Sequence, residues 1–446
     1  MPPSFCAAIR SRVASGLAVN KAPDRQKISP SRLAAFEILT AVGAGRGHSD
    51  ELLHSARVSA LSPEDRNLAT TLVMGVLRWQ IALDARVRAL LQRPEQRLAE
   101  PVAIALRMGA FQLLHLDRIP AHAALSESVE VCRAAGHPHA TGMVNAILRK
   151  VAKLTSQNRD VEHPERQVPI RESVAAFAER LGHPAWMVER WASAYGREAA
   201  LKICEAGQQE PVEGGMFAES GGDLPQMDDG SRLVAELSAA AVPRAKRVWD
   251  CCAAPGGKTL ILARRLSGAA IVASDVSAKR LAITEARLHR YAYAERVLCA
   301  VADARDARGV EGEFDLILCD VPCTGTGTLA RNPEIRHVLK PEELARQSAR
   351  QRQILEGALR RLAPGGRLVY STCSLEPEEC EQVVDAVAAD GSLRRVPVDG
   401  LIAELSEQGA LLAGVQLNSA LHGGALRTLP GVHGCDGFFA AVLEQR

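Results

Sequence analysis

The sequence has few aromatic residues, no long apolar run and no strong excess of charge of either sign. Phe, Trp and Tyr make up 4% of the 446 residues, so stacking of nucleic-acid bases would depend on few side chains. The formal net charge is only +2, so an RNA partner would need a local basic face rather than a global field. Because no apolar run approaches the length of a bilayer span, we do not expect a membrane protein.

Cysteines in the spacing of a metal site are also missing. The chain has 11 cysteines, an odd number, and none of them stands in a C-x-x-C pair. Cys251 and Cys252 are adjacent, and Cys319 and Cys323 are followed by no His pair. We therefore expect no zinc or other metal site and no disulfide framework, and we predict a reducing compartment, the cytoplasm.

Composition and periodicity divide the chain into four segments. Residues 1–27 are basic and poor in acids, which predicts disorder, with a transit peptide as the alternative. Residues 28–156 show amphipathic helical patterns, with Ser29 and Ser62 as expected helix caps, each followed by Pro. Residues 168–235 continue as helices and a loop rich in Gly and acids. From 236 to 446 short strands alternate with helices, which predicts an α/β fold with a doubly wound, mostly parallel sheet.

Polar residues stand at the ends of successive predicted strands. Taken singly, an Asp at such a place is as often a helix cap, and a Cys is usually a small buried hydrophobe. Because ligands of such sheets bind at the carboxyl ends of the strands, we interpret the set as one site. The residues are Asp250, Asp275, Asp303, Asp320 followed by Cys323, and Cys373.

A glycine-rich turn, "AAPGGKT", links the first predicted strand to a helix. Gly256 and Gly257 allow a ligand to approach the backbone closely, and the helix that starts near Lys258 offers free N–H groups. The spacing is neither that of a P-loop nor that of a G-x-G-x-x-G dinucleotide motif. Since Asp275 at the end of the second strand suits a ribose diol, the sequence predicts a nucleoside-bearing cofactor without a pyrophosphate.

At this point five stretches resemble, in order and spacing, the motifs of the RNA cytosine-5 methyltransferases that use S-adenosylmethionine (SAM). They are "DCCAAPGGKT", "SDVSAKRL", "ADARD", "CDVPCTGTGTLARNPEIRH" and "VYSTCSLEPEECEQVV". In the first half, "LRMGAFQLLHLDRIPAHAALSESVEVC" and "GMVNAILRK" resemble a NusB-like RNA-binding domain. The resemblance runs from about Pro30 to the C-terminus. It implies an all-α NusB-like N-terminal domain, a C-terminal Rossmann-like SAM-dependent methyltransferase domain, and small-subunit (16S) ribosomal RNA as the substrate.

The resemblance also implies the catalytic residues. Cys373 would add to carbon-6 of the cytosine, which makes carbon-5 nucleophilic. Cys323 would help to release Cys373 afterwards. Asp320 would hydrogen-bond the pyrimidine edge. Lys258 would orient Asp320 or favour a thiolate, and the alternative for it is a solvent-exposed lysine at a helix start.

For SAM, the resemblance assigns three carboxylates and one turn. Asp275 would bind the ribose hydroxyls, Asp303 the adenine amino group, and Asp320 the edge near the sulfonium. Arg280 matches the family pattern, with a solvated helix face as the alternative. The turn around the methionine portion would consist of Cys252, Ala253, Ala254, Pro255, Gly256, Gly257 and Lys258.

Candidate RNA contacts follow the catalytic loop and recur in the NusB-like half. Since a charge on a helix is usually just a solvated face, each of them carries little weight singly. We expect ribosomal RNA as the partner, no membrane and a monomer. The candidate contacts are Arg331, Asn332, Arg336, Arg149 and Lys150.

The sequence departs from the family pattern in three places. A small β-containing subdomain, usual between the linker helices and the catalytic domain, is truncated to the loop 212–227, which bears on RNA positioning. The family's Gln-Asp before the helix at Ala235 is absent, and Cys380 stands where Asn is usual. None of the three touches the chemistry of Cys323 and Cys373.

Two alternative functions stay open: the same chemistry on tRNA or another RNA, and a non-catalytic RNA-binding factor of ribosome assembly.

Overall fold

The computed structural model describes residues 28–157, 172–211, 214–219 and 224–446, so the expectation for residues 1–27 lies outside it. The chain divides into two compact units. The described residues of the first unit are 28–47, 51–76 and 86–157, and those of the second are 48–50, 77–85 and everything described from 172 onwards. Among the described residues no helix is long and apolar enough to cross a membrane.

The N-terminal part of the described chain is helical, as its periodicity predicts. Before Arg247 the described residues form no β-strand. The helices are α1 Pro30–Gly43, α2 Ser49–Leu53, α3 Ala56–Ser59, α4 Pro63–Leu90, α5 Glu100–His115, α6 Ala121–Ala134 and α7 Thr141–Gln157.

The two predicted helix caps behave differently. Ser62 caps α4, because its hydroxyl accepts a hydrogen bond from the backbone N–H of Asp65 at 3.1 Å. Ser29 occupies the N-cap position directly before Pro30, as predicted, but its side chain makes no capping bond, and its hydroxyl donates to the Glu127 carboxylate at 2.6 Å. A tertiary partner on α6 has therefore replaced the local one.

The interior of the first unit is formed by α5, α6 and α7, which pack on one another. Ile104, Leu106 and Leu148 are completely or almost completely buried there. Where α4 meets α5, a Cβ atom on Gly75 would lie 1.9 Å from the ring of Phe111, so only glycine allows the two helices to approach this closely.

In the second unit, three helices precede the sheet: α8 Val174–Arg180, α9 Ala185–Tyr195 and α10 Arg197–Gln208. They share an apolar core that includes Trp191, and that core also takes in Leu329 and Leu375 from the loops at the sheet edge. The indole N–H of Trp191 donates to the buried carboxylate of Glu376 at 3.0 Å, and Arg190 binds the same carboxylate at 2.7 Å. These helices are thus fastened to the loop that follows the fifth strand of the sheet.

The rest of the second unit is an α/β structure in which β1 to β5 run parallel and the final strands antiparallel. The strand order is β3-β2-β1-β4-β5-β9-β8-β7, with β6 also paired to β9, which confirms the doubly wound, mostly parallel sheet. The elements are α11 Asp229–Ala241, β1 Arg247–Asp250, α12 Gly257–Arg265, β2 Ala270–Asp275, α13 Ala278–Arg290, β3 Val297–Val301, β4 Phe314–Asp320, α14 Ile335–Val338, α15 Pro341–Leu359, β5 Leu362–Thr372, α16 Glu381–Val387, β6 Leu393–Val396, α17 Asp399–Glu407, β7 Leu421–His422, β8 Ala425–Arg427 and β9 Phe439–Gln445.

The central strands are apolar on both faces, as expected for strands covered by helices on either side. On β4, Leu316 and Leu318 enter one core, whereas Ile317 and Cys319 enter the opposite one. The chain reverses its strand order between β1 and β4, so their carboxyl ends flank the crevice where ligands of such folds bind.

The described part of the segment predicted as a truncated loop, 214–219, is anchored rather than loose. Phe217 forms an isolated bridge with Leu411, and both Met216 and Phe217 are buried in the main core. Arg232 on α11 lies over the Phe217 ring at 4.2 Å. The segment therefore contributes apolar contacts although it forms no strand.

Candidate active site

Two cysteines meet at the carboxyl ends of neighbouring parallel strands. Cys323 lies three residues beyond β4 and Cys373 directly follows β5. Because the two strands are paired, their Sγ atoms lie 3.2 Å apart, which is a hydrogen-bond distance for two thiols. Both are half-buried and neither is in a disulfide.

A lysine and a carboxylate stand beside this thiol pair. Asp320 at the end of β4 accepts from Lys258 Nζ at 2.7 Å through one oxygen and from Ser371 Oγ at 2.8 Å through the other. Lys258 also donates to Ser231 Oγ at 2.8 Å. Lys258 is therefore not a solvent-exposed helix-start residue, and its ammonium fixes the orientation of Asp320.

The electrostatics keep Cys373 protonated when no substrate is bound. The hydrogen bond to Cys323 and burial both raise the pKa of the Cys373 thiol well above its usual value, and the charge of Asp320 acts in the same direction. The charge of Lys258 opposes them. Burial alone would lower the pKa of Lys258, but Asp320 and Cys373 raise it above its usual value, so the ammonium stays charged.

A cavity of about 310 Å³ opens beside Cys373 and has the chemistry that a nucleoside cofactor requires. Asp275 and Asp303 supply carboxylates, and Val276 and Ile354 supply apolar walls. Val276 is 53% exposed, which is unusual for a large apolar side chain and fits a surface that a ring covers. The remaining lining residues are Cys251, Cys252, Ala254, Arg280, Ala304, Arg305, Asp320, Val321, Pro322, Cys323, Arg350 and Cys373.

The turn after β1 has the conformation that close approach of a ligand needs. Gly256 has φ +94°, and a Cβ atom there would lie 2.8 Å from the Thr284 side chain, so the position requires glycine. Arg280 donates to the carbonyl of Ala254 at 2.6 Å, and its guanidinium lies 3.8 Å from Asp275. Of the predicted turn, Cys252 and Ala254 line this cavity together with Asp275, and these residues fit SAM.

Asp303 is already paired. Its carboxylate is bound by the guanidinium of Arg305 at distances between 2.6 and 3.0 Å, and this hydrogen bonding lowers the pKa of Asp303. An adenine amino group would have to share the carboxylate with Arg305.

A second cavity, of about 440 Å³, shares Asp320, Cys252 and Ala254 with the first. Lys258 and Phe438 line it, and the ammonium lies 5.1 Å from the centre of the Phe438 ring. The other lining residues are Gln226, Met227, Asp228, Ser231, Asp250, Ala253, Pro255, Gly257, Arg287, Thr328, Arg331, Asn332 and Asp436.

Of the candidate RNA contacts that follow the catalytic loop, two line this second cavity. Arg331 binds Asp436 at 2.9 Å and Asp228 at 3.4 Å, so its charge is largely used within the protein. Asn332 donates to Thr328 Oγ1 at 3.0 Å.

The prediction that Arg336 binds RNA is wrong. Its side chain is buried, and the guanidinium donates to backbone carbonyls, at 2.6 Å to that of Gly207 and at 3.4 Å to that of Gly182. Burial lowers its pKa to about 9. Arg149 and Lys150 lie on α7 in the first unit and are exposed, so they remain predicted RNA contacts.

Some residues of the site were not predicted from the sequence. Ser371 stands directly opposite Asp320 in the register of β4 and β5, and Ser231 lies in the first turn of α11. Glu379 lies in the stretch after Cys373, and its buried carboxylate contacts both cysteine-bearing loops. The register of two strands far apart in sequence would have revealed Ser371, but no local motif marks Ser231.

The described residues contain no cluster of three or more His, Cys, Asp or Glu side chains placed to hold a metal ion. Two further cysteines, Cys251 and Cys319, lie with their Sγ atoms 3.2 Å apart beneath the cofactor cavity, and both are buried. Cys380, which stands where the family usually has Asn, is buried, and its thiol donates to the carbonyl of Ser374 at 3.4 Å.

Comparison with known proteins agrees with this arrangement. Residues 29–153 match the NusB family, and residues 240–444 match the family described as 16S rRNA methyltransferase RsmB/F. The chain is 32% identical over 459 aligned positions to ribosomal RNA small subunit methyltransferase B of Xanthomonas campestris pv. campestris, covering 93% of this chain and 96% of that protein. It is 29% identical to the probable ribosomal RNA small subunit methyltransferase B of Bacillus subtilis, covering 92% and 98% of the two chains.

Among solved structures, a protein described as PH0851 has the same fold, with a TM-score of 0.67 and 21% identity over 94% of this chain and 99% of that one. The matches confirm the predicted combination of a NusB domain with a Rossmann-like methyltransferase domain. They also confirm the resemblance seen in the motifs. With about a third of its residues identical to a full-length relative, the chain belongs to the RsmB/F family of 16S rRNA methyltransferases.

Proposed function

We propose that the protein transfers the methyl group of SAM to carbon-5 of a cytidine in small-subunit ribosomal RNA through a covalent bond between Cys373 and the base. The observation that carries the proposal is the pair of thiols, 3.2 Å apart, which both line the first cavity together with Asp320. Carbon-5 of cytosine is a weak nucleophile, and addition of a cysteine thiolate to the neighbouring carbon makes it reactive.

The role of Cys373 is to make carbon-5 reactive. Its thiolate adds to carbon-6 of the cytosine, and the electron pair of the carbon-5–carbon-6 double bond becomes available at carbon-5. Carbon-5 then forms the new bond to the methyl carbon, while the bond between that carbon and the sulfonium sulfur breaks. A base then takes the carbon-5 proton, the electron pair of that C–H bond restores the double bond, and the Cys373 thiolate leaves with the electrons of the carbon–sulfur bond.

Cys323 supports that last step. Its sulfur lies within hydrogen-bond distance of Cys373 Sγ, so its thiol can donate a hydrogen bond to the departing thiolate. Asp320 faces the same space and would bind the pyrimidine edge, held in orientation by Lys258 and Ser371. Lys258 further favours the thiolate form, since its charge lowers the pKa of Cys373 against the effects that raise it.

We assign the cavity that contains Asp275 to SAM, which supplies the methyl group when bound. In that cavity Asp275 would accept from the ribose hydroxyls, Val276 and Ile354 would cover the adenine, and Cys252 and Ala254 of the turn would contact the methionine portion. The second cavity, lined by Phe438 and Lys258, is assigned to the target nucleotide, because Asp320 lines it as well.

We propose ribosomal RNA as the substrate because of the relatives and of the NusB domain. The proposed location, the cytoplasm, follows from that substrate. Two relatives are named small-subunit ribosomal RNA methyltransferases and align over nearly their whole length. Transfer RNA is the alternative substrate that the assay compares with ribosomal RNA.

The test is a transfer assay with radiolabelled SAM and three RNAs: 16S ribosomal RNA stripped of protein, assembled small subunits, and bulk tRNA. We expect 5-methylcytidine at one position of the ribosomal RNA. Methyl transfer to tRNA alone would show that tRNA, and not ribosomal RNA, is the substrate. No transfer to any of the three RNAs would favour a non-catalytic assembly factor.

Variants test the mechanism in the same assay. Cys373→Ala should lose transfer, whereas Cys323→Ala should accumulate a covalent protein–RNA adduct that survives denaturing electrophoresis. Cys299→Ala is the matched control, because Cys299 lies on β3 and lines neither cavity. Full activity of Cys373→Ala would disprove covalent catalysis.

A further inference from the structure

Glu379 is a completely buried acid between the two loops that carry Cys323 and Cys373. One oxygen accepts from the backbone N–H of Thr324 at 3.0 Å and from Gln351 Nε2 at 2.9 Å. The other accepts from Ser374 Oγ at 2.5 Å and from the Thr324 hydroxyl. All four lone-pair positions of the carboxylate are therefore occupied by neutral donors.

Two of the hydrogen-bond partners of Glu379 are the chain neighbours of the two cysteines. Thr324 directly follows Cys323, and Ser374 directly follows Cys373. A single carboxylate thus joins the residues next to both thiols, although these lie 50 positions apart in the chain.

Glu379 is reinforced from α15 and from β5. Gln351 on α15 donates both to Glu379 and to the carbonyl of Pro322, directly before Cys323, at 3.0 Å. Tyr370 on β5 donates to the backbone carbonyl of Glu379 at 2.6 Å. Gln351 thus holds the carboxylate of Glu379 and Tyr370 holds its backbone, so the position of this residue can determine the position of the loops.

Burying a carboxylate costs free energy, so the presence of Glu379 here indicates that its hydrogen bonds to the two loops have a role. Burial raises the pKa of Glu379, and the hydrogen bonds from Ser374 and Thr324 act in the opposite direction. A neutral apolar side chain would fill the same space without that cost, but it could not bind donors from both loops.

We propose that Glu379 is the positioning residue that sets the distance between the Cys323 and Cys373 thiols. It touches neither base nor cofactor and acts through Thr324 and Ser374. The inference deepens the proposed function and rests on it for the meaning of the spacing, but the spacing itself can be measured without RNA.

The test uses the full-length protein and dibromobimane, a short reagent that becomes fluorescent when it has alkylated two thiols. Peptide mass spectrometry identifies the Cys323–Cys373 product. We expect Glu379→Ala to lower its yield by about threefold or more, while the Kd for SAM stays within about twofold. Because loose placement of reacting groups is costly, kcat for RNA should fall about 10- to 100-fold with little change in KM.

The conservative variant Glu379→Gln shows whether an effect of Glu379→Ala comes from lost positioning of the loops or only from loss of a buried side chain. In Glu379→Gln the amide oxygen can still accept from the two N–H groups, and the hydroxyls of Thr324 and Ser374 can turn to accept from the NH₂ group. We expect it to restore most of the cross-link yield and of kcat. Glu378→Gln is the control, since Glu378 is about a third exposed and binds Arg190 outside both cavities.

If Glu379→Ala does not fold, as judged by its melting temperature and SAM binding, the double variant Thr324→Val, Ser374→Ala removes the same hydroxyl contacts and should give the same loss of cross-link. An unchanged cross-link yield in a folded Glu379→Ala would overturn the inference, whatever happens to kcat. If the wild-type protein methylates no RNA, the proposed function fails, but the cross-link still decides the role of Glu379.

Discussion

The Sγ atom of Cys323 lies 3.2 Å from that of Cys373, and this contact is the first of the causes that raise the pKa of the Cys373 thiol. The proposed nucleophile, Cys373, is thus held as a thiol by the residue that is proposed to assist its departure. Since only the thiolate attacks, the resting site is protected from unwanted alkylation and must lose a proton for each turnover.

Removal of Cys323 should make Cys373 more reactive toward a small electrophile. Without the thiol that raises it, the pKa of Cys373 falls, so the thiolate is present at lower pH. We expect the rate of Cys373 alkylation by iodoacetamide, measured by peptide mass spectrometry from pH 6 to 10, to rise at lower pH in Cys323→Ala than in wild type. A curve identical to that of Cys299→Ala would contradict the assigned cause.

Replacement of Lys258 should have the opposite effect. Its charge lowers the pKa of Cys373, so Lys258→Met should move the alkylation curve to higher pH. Asp320 accepts hydrogen bonds from Lys258 and Ser371, and in Lys258→Met only that from Ser371 is left. Because Asp320 is then less firmly oriented, we expect kcat to fall about 10-fold or more. Lys202→Met, on the exposed surface of α10, is the control. A curve shifted to lower pH would show that Lys258 does not act through its charge.

Stability should decrease with rising pH through the titration of Asp436. Burial, followed by the nearby charge of Asp228, raises its pKa to about 7, against 3.8 for an unperturbed Asp. A raised pKa means that the folded state favours the protonated acid, so this stabilisation is complete below about pH 4 and is lost as the pH rises through 7. We expect Asp436→Asn to flatten that part of the dependence.

Urea unfolding at several pH values between 4 and 8 measures this dependence. Asp390→Asn serves as the control, because Asp390 is exposed and hydrogen bonding from Ser392 lowers its pKa. Asp250 has a pKa raised to about 7 for the same main reason, burial, so Asp436→Asn should remove part of the slope and not all of it. An unchanged slope would contradict the assignment.

Salt dependence should distinguish the remaining predicted RNA contacts from buried arginines. The double variant Arg149→Gln, Lys150→Gln should reduce the slope of log K against log salt concentration by about 1 to 2, if both contact phosphates. Arg336→Met should leave the slope unchanged and lower the free energy of unfolding by about 1–3 kcal/mol, because the carbonyls of Gly182 and Gly207 lose their donor. Filter binding to 16S ribosomal RNA at five salt concentrations gives the slopes.

The sequence was informative wherever function depends on the end of a strand. The periodicity placed β1 to β5, and the residues after them, Asp275, Asp320 and Cys373, needed no tertiary information to be singled out. The parallel alternation then requires these ends to lie on one edge of the sheet. The sheet confirms that order, and the roles of the side chains remain proposals.

What the sequence could not predict depends on contacts between distant segments. Arg336 follows the catalytic loop in a basic stretch typical of a phosphate contact, yet its environment is set by carbonyls more than a hundred residues earlier. Glu379 is one of several acids after Cys373, and nothing in the local pattern distinguishes the buried Glu379 from the half-buried Glu378. Ser29 found a partner on α6 in the same way.

The hydrogen bonds from α9 to Glu376 limit how far the chain can be truncated from its N-terminus. A deletion up to residue 235 would keep every strand of the sheet, but it would strip Arg190 and Trp191 from a carboxylate that is fully buried three residues after Cys373. Without these partners and the helices that cover it, the acid would face water, and the loop after Cys373 would lose its anchor. We therefore expect the smallest fragment that keeps the proposed site intact to begin near Glu172, ahead of α8, and to include the linker helices.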